Sequence, residues 1–299
     1  MSIDPAHIEN AARARSLYLD TLSVAEATAD WKFAVRDARK VAGKALRASK
    51  FLFDIEGALS ESGTHALVFR QVLAPPVSQD QFKLLCPAYS KSTEKSGQPA
   101  RRSSEVAASM EERLDRGVAG WVFRGMRPSR RELQTFLRVA STLIGQQQLS
   151  TARRRRLAAE QENDVIAGLV GNGWTRLPSS LIDRRAAVPE RHFMHKTRFA
   201  TATTAAQEVD IACGLKDSFV LAMECKSTND ETNSVKRVND VLKKAVAWKD
   251  HWGSFVMTAA LLQGVIAPKD VQRLSDAGVQ VFWSHDLAAF HAWLAARMA

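Results

Sequence analysis

Cysteine is scarce in this chain: Cys86, Cys213 and Cys225 are the only three among 299 residues, and no CxxC spacing occurs. An odd, scattered set offers neither a disulfide framework nor a zinc cluster, and the two cysteines in apolar stretches read as reduced thiols acting as small hydrophobes. Long apolar runs are also missing. No segment approaches the roughly 20 residues needed to cross a bilayer, and the opening MSIDPAHIENAARARS has no signal-peptide core, so no membrane partner and a cytoplasmic location are expected. Acidic side chains are in deficit, 32 Asp and Glu against 42 Lys and Arg, for a net charge of +10 and a pI near 9.8. Such an excess concentrates polyanions near the surface, which makes nucleic acid the leading partner class. Several signatures are absent: no Walker A sequence, no HExxH, no GxSxG. The glycines of GLVGNGW end a helical pattern instead of joining a strand to a helix, which excludes a dinucleotide loop.

What is present is the length and apolar fraction, 45%, of an ordinary globular protein with room for one large domain or two modest ones. From about Ile8 to Leu59, Leu17, Leu22, Val24, Trp31, Val35, Val41 and Leu46 recur at helical spacing and predict two or three helices. Ser78 is placed to cap a short helix through Leu85. Residues 88 to 104 are polar and aperiodic and read as a mobile loop. A capping signature after Pro128-Ser129 opens another helix with an apolar stripe through Leu133, Phe136, Leu137, Ala140 and Ile144. After Ser150 the pattern changes: a separate helix closed by Gly171 and Gly173, then strand, strand, helix, strand, helix. The expected class is α/β, a mixed sheet flanked by helices, with residues 1–150 forming a mostly helical region for DNA binding or dimerisation and 151–299 a catalytic domain. Trp248, Trp252, Trp283 and Trp293 fall at core spacing.

The segment EVDIACGLKDSFVLAMECKS, residues 208–227, carries the chemistry. Read as two strands, it places Asp210 on the first, and Glu224 and Lys226 two residues apart on one face of the second. Two carboxylates at the ends of adjoining strands suit a hard cation such as Mg²⁺, and a lysine beside them can orient water or stabilise charge on a phosphorus under attack. A plain strand salt bridge is the competing reading. Glu162, on the preceding helix, is placed to lean toward the same edge and complete an ion site. Alternatively Glu160, Glu162 and Asp164 merely balance the run Arg153 to Arg156. Two further segments suit phosphates or base edges: VPERHFMHKTRF, with Arg191, His192, His195, Lys196 and Arg198 in a connection ahead of the first catalytic strand, and NSVKRVNDVLKK, which opens a helix with Ser234, Lys236, Arg237 and Asn239. Ordinary surface solvation is the alternative for both.

The arrangement of Glu162, Asp210 and Glu224-x-Lys226 followed by a helix resembles the PD-(D/E)XK nuclease fold. More narrowly, VPERHFMHKTRF through EVDIACGL, MECKSTNDETNSVKRVN and VFWSHDL resembles the XamI-type family of type II restriction endonucleases, across about residues 160 to 293, with an echo in FRQVLAPPVSQDQFKLL. Asp210 follows Val209 where the fold's name has Pro. The resemblance implies Mg²⁺-dependent cleavage of double-stranded DNA at a short site, with Asp210 and Glu224 as metal ligands and Lys226 as the catalytic lysine. It also implies a restriction-modification system with a paired DNA methyltransferase. A palindromic site would be read by a homodimer. Two other functions fit the same residues: a repair or structure-specific nuclease on this fold, and a DNA-binding protein without catalysis.

Overall fold

The computed structural model describes residues 3–202 and 204–299. Its α-helices are α1 (Pro5–Asp20), α2 (Val24–Ala48), α3 (Ile55–Glu61), α4 (Ala66–Arg70), α5 (Gln79–Leu85), α6 (Lys91–Ser96), α7 (Ser103–Glu111), α8 (Arg116–Phe123), α9 (Arg130–Gly171), α10 (Glu231–Trp252), α11 (Pro268–Asp276) and α12 (Leu287–Met298). The strands are β1 (Thr175–Leu177), β2 (Leu181–Ile182), β3 (His192–Phe199), β4 (Gln207–Gly214), β5 (Val220–Thr228), β6 (Val256–Gly264) and β7 (Gln280–Trp283). The chain forms two compact units, residues 24–152 and residues 1–23 with 153–299, and the division falls inside α9.

The unit of residues 24–152 is helical, as its periodicity predicts. Ser78 caps α5 in a reciprocal box with Gln81, and Ser129 and Glu132 exchange the matching pair of bonds at the start of α9. Its core gathers Phe69, Phe82, Trp121 and Phe136, with the Trp121 indole donating to the Phe51 carbonyl at 2.8 Å. The expected mobile loop at 88–104 is instead anchored. Ser90 caps α6 and Gly97, at φ 76°, closes it. Glu94 on that helix is buried and takes two bonds from the fully buried Arg70, at 2.8 and 2.7 Å, and others from Gln79 and the Tyr89 hydroxyl. A buried ion pair with its remaining lone pairs satisfied can hold a polar segment that shows no apolar periodicity. Two helices expected on either side of residue 150 are one 42-residue helix, α9; the Gln- and Arg-rich stretch between them contains helix formers and no proline.

In the other unit a seven-stranded sheet runs β1-β3-β4-β5-β6-β7, with β2 also pairing with β3. β3, β4 and β5 are antiparallel neighbours, while β5, β6 and β7 are parallel, so the sheet is mixed. β6 is apolar on both faces, as a covered parallel strand must be. Ala259 and Leu261 pack with Val165 and Leu169 of α9 and Phe290 and Leu294 of α12. Ala260 and Leu262 pack with Val238 and Val241 of α10, Val271 and Leu274 of α11, and Ala11 and Ala14 of α1. The result is a helix, sheet, helix sandwich. Helix α1, whose sequence pattern groups it with the helical region, belongs to this sandwich because the small faces of Ala11 and Ala14 let it close onto the sheet. Most of VPERHFMHKTRF is not a connection: its buried residues Phe193, Met194, Thr197 and Phe199 make His192–Phe199 an interior strand, β3, and only residues 188–191 lead into it. Trp248 and Trp283 are buried, while Trp252 and Trp293 pack partly buried against the core. Gly264 ends β6 at φ 88°, where a Cβ would stand 2.0 Å from the Thr228 carbonyl oxygen; only glycine permits that approach of β6 to β5. Among the described residues no helix is long and apolar enough to cross a membrane.

Candidate active site

The pairing of β4 with β5 stops at Ile211 and Met223. One step further on stand Asp210 and Glu224, where β4 parts from β5 while β5 continues along β6 to Thr228. An amide freed at such a fork needs a new acceptor. The Asp210 carboxylate supplies it, taking the Cys225 N–H at 2.8 Å. Glu224 is fully buried beside Ala260, whose small side chain leaves room for it. The Lys226 ammonium lies 2.5 Å from Glu224 Oε2, 3.9 Å from Asp210 and 3.4 Å from Asp240 of α10. Lys244, one turn further along α10, reaches the same Glu224 oxygen at 2.8 Å. The three predicted residues are therefore brought together, and α10 adds an acid and a second lysine.

Three carboxylates face two ammonium groups here, leaving one negative charge in excess. Burial lifts the Glu224 carboxyl above its ordinary range; Lys226 and Lys244 oppose the lift and Asp210 reinforces it. Burial draws the Lys226 ammonium down, but Glu224, Asp210 and Asp240 outweigh it and leave its pKa raised. Both lysines bind Glu224 Oε2, and Glu224 Oε1 is buried with no hydrogen-bond partner. An orphaned carboxylate oxygen is costly in a buried position. A cation held by it and Asp210 would satisfy it and more than offset the one excess negative charge. The donor set fits Mg²⁺, which binds through one or two carboxylates and keeps water and phosphate oxygens for the rest of its shell. Among the described residues no three His, Cys, Asp or Glu side chains gather into a fuller cage.

Glu162 is engaged elsewhere. Its carboxylate lies 2.7 Å from His195 Nε2 and 3.1 Å from Lys196 Nζ. Its charge still acts with those of Asp210 and Glu224 on the half-buried Cys225 thiol, which desolvation already pushes far up, so the two groups are neighbours. Arg198 is exposed on β3 opposite Glu208 of β4. Arg191, by contrast, donates its backbone N–H to Gly214, four residues along β4 from Asp210, or about 13 Å at strand rise. The start of α10 differs from expectation as well. Asp230 caps it and takes the N–H of Asn233 at 2.7 Å, so the chain's own carboxylate occupies the seat proposed for phosphate. Ser234 is buried and bonds to Asp270, and Asn239 accepts from Arg273; burial removes Ser234 from any surface contact. Lys236 and Arg237 remain exposed.

A family model described as XamI restriction endonuclease matches residues 50–283, a span that includes the carboxylate–lysine site. The chain belongs to the XamI restriction endonuclease family. Type II restriction enzyme XamI of Xanthomonas campestris pv. amaranthicola is 27% identical to it over 187 residues, 62% of this chain and 66% of that enzyme. The chain thus matches just under two-thirds of that relative's length. A crystal structure of protein VC1899 from Vibrio cholerae covers 90% of this chain and 57% of its own, at 8% identity and a TM-score of 0.31, a likeness too slight to bear on the fold.

In this XamI-family chain Asp240 and Lys244 are the site residues that strand-based reasoning passes over. Their signal was available: an i, i+4 acid and base one turn apart, beside the buried Val238, Val241 and Ala245 that turn this face of α10 to the sheet.

Proposed function

We propose that the chain hydrolyses phosphodiester bonds of double-stranded DNA at a short specific site, on a PD-(D/E)XK-type core, as a type II restriction endonuclease dependent on Mg²⁺. The observation that carries this reading is the convergence of Asp210, Glu224 and Lys226 at the fork between β4 and β5, with Glu224 Oε1 left unsatisfied, in a chain of the XamI family. Asp210 and Glu224 would hold the ion, which when bound acts as a Lewis acid on a phosphoryl oxygen. Lys226 orients the attacking water and stabilises negative charge gathering on the phosphorus, and its raised pKa keeps it cationic for that task. Lys244 holds Glu224 in place and limits the repulsion between the two ligands. Asp240 in turn positions Lys226.

The net charge of +10 favours a polyanionic substrate, and Lys196, Arg198, Lys236 and Arg237 are the exposed cations from which contacts to DNA are drawn. Recognition of a palindrome by a homodimer, and pairing with a DNA methyltransferase that protects the host site, complete the reading. The test is incubation of the purified protein with plasmid DNA and Mg²⁺. Discrete fragments are expected, and Lys226→Ala is expected to abolish them while duplex binding persists. Undiminished cutting by that variant sinks the assignment, and cutting confined to branched substrates moves the protein to a repair class.

A further inference from the structure

Next to the carboxylate–lysine site lies a second cluster whose geometry has a different logic. Arg176 of β1 sends one guanidinium nitrogen to His195 Nδ1 at 3.1 Å, and His195 Nε2 meets Glu162 Oε2 at 2.7 Å. A guanidinium has donors only, so Nδ1 must accept. The imidazole proton therefore sits on Nε2 and is donated to Glu162, which makes His195 a neutral, oriented link between a carboxylate and an arginine. Arg176 is exposed, and His195 is the only polar partner of its side chain among the described residues. An arginine held by a histidine, with its other N–H groups open to solvent, is aimed but not neutralised.

The backbone supports the same conclusion. Lys196 adopts φ 50° inside β3, a left-handed conformation that costs a non-glycine residue about 1 to 3 kcal/mol and persists where the surroundings enforce it. Neighbouring side chains in a regular strand point to opposite faces. Here both His195 and Lys196 reach the one carboxylate of Glu162, because the left-handed residue breaks the alternation. The interruption shows in the pairing too, which keeps one register from His195 with Ile211 to Thr197 with Val209 while skipping the facing residues Lys196 and Asp210. The strain also brings a second, largely exposed cation to the Glu162 end of the Arg176–His195–Glu162 chain, with the Lys196 side chain 62% accessible.

We propose that Arg176 and Lys196 form a clamp for one phosphodiester group of the DNA backbone beside the carboxylate–lysine site, with Glu162 and His195 as positioning residues and not as a metal ligand and a base-reading contact. A planar guanidinium fork matches the geometry of two phosphate oxygens, and the ammonium adds a point charge. The clamp rests on the proposed reading that duplex DNA is the substrate, yet its test needs no cleavage.

Binding of a fluorescent duplex is measured by anisotropy in EDTA over a range of monovalent salt. One lost phosphate contact lowers the slope of log K against log salt by about 0.9, which at 0.1 M salt is about eight-fold in affinity. Arg176→Ala and Arg176→Gln should both show this change, and their exposed position leaves the fold intact. His195→Phe should weaken binding by a smaller factor in the wild-type background and by nothing further in Arg176→Ala, because a positioning residue acts only through the group it holds. Calorimetric Mn²⁺ affinity should be unchanged in Glu162→Gln. An unaltered salt slope in Arg176→Ala, additive losses in the double variant, or lost Mn²⁺ affinity in Glu162→Gln each overturns the clamp. Wild-type protein that binds duplex in EDTA but never cuts with Mg²⁺ overturns the nuclease reading and leaves the clamp standing.

Discussion

Replacing Lys226 by methionine removes the ammonium that lies between three carboxylates and keeps most of the side-chain volume. In the wild-type protein two lysines face Asp210, Glu224 and Asp240; in Lys226→Met only Lys244 remains, and the excess negative charge doubles from one to two. Removing one partner of a buried ion pair typically costs 3–5 kcal/mol. The cost here should be smaller, about 2 kcal/mol, because Lys244 still neutralises Glu224 Oε2 and because the Asp210 and Asp240 side chains are 24% and 46% accessible to water. For a unit of this size that corresponds to a fall in Tm of roughly 4–8 °C.

The loss should depend on pH with a defined sign. Glu224 already titrates above its ordinary value because of burial, and removal of Lys226 raises it further. A carboxyl whose folded pKa is raised favours folding below its unfolded pKa, and that advantage disappears as pH rises through the folded value. The variant should therefore lie close to wild type near pH 5 and fall furthest behind near pH 8. Mg²⁺ should restore what the ammonium supplied, since a ligand at 100 times its Kd stabilises by about 2.7 kcal/mol. Differential scanning calorimetry at pH 5 and pH 8, with and without Mg²⁺, reads all three effects. A loss that is flat with pH, or a Mg²⁺ response no larger than that of Asp210→Asn, refutes the account of the site.

Arg70→Leu in the helical unit leaves Glu94 buried beside Tyr89 without its guanidinium; a loss of about 3 kcal/mol is expected, read as a lower urea midpoint, and the double variant Arg70→Leu with Glu94→Leu should recover much of it. Glu132, at the start of α9, is held down to about 2 by hydrogen bonds from the Ser129 amide and hydroxyl and by Arg124. A depressed carboxyl stabilises above its unfolded pKa and stops doing so as pH falls through the folded one, so the gap in thermal midpoint between wild type and Glu132→Gln should be full above about pH 5 and close toward pH 2. A gap that persists at pH 2 refutes the capping role.

Local patterns decide a good deal of this molecule. Side chains at helical spacing announce α2, α5 and the start of α9, Ser78 and Ser129 with Gln81 and Glu132 write their own caps, and Glu224-x-Lys226 at strand spacing must share a face wherever that strand lies. These are properties of neighbours in the chain, and a sequence displays them directly. What depends on distant residues is another matter. The burial of Glu94 by Arg70, the return of α1 to the sheet through Ala11 and Ala14, the arrival of Asp240 and Lys244 over β5, and the diversion of Glu162 to His195 and Lys196 are all set by packing across tens of residues. Glu162 illustrates the difference best. Its place on a helix ahead of two acidic strands suggested an ion ligand, but a left-handed backbone at Lys196, invisible in residue identities, brings two β3 side chains to its carboxylate first. The sequence names the charged groups of the site; the tertiary fold decides which of them meet, because opposite charges pair by distance and burial and not by their order along the chain.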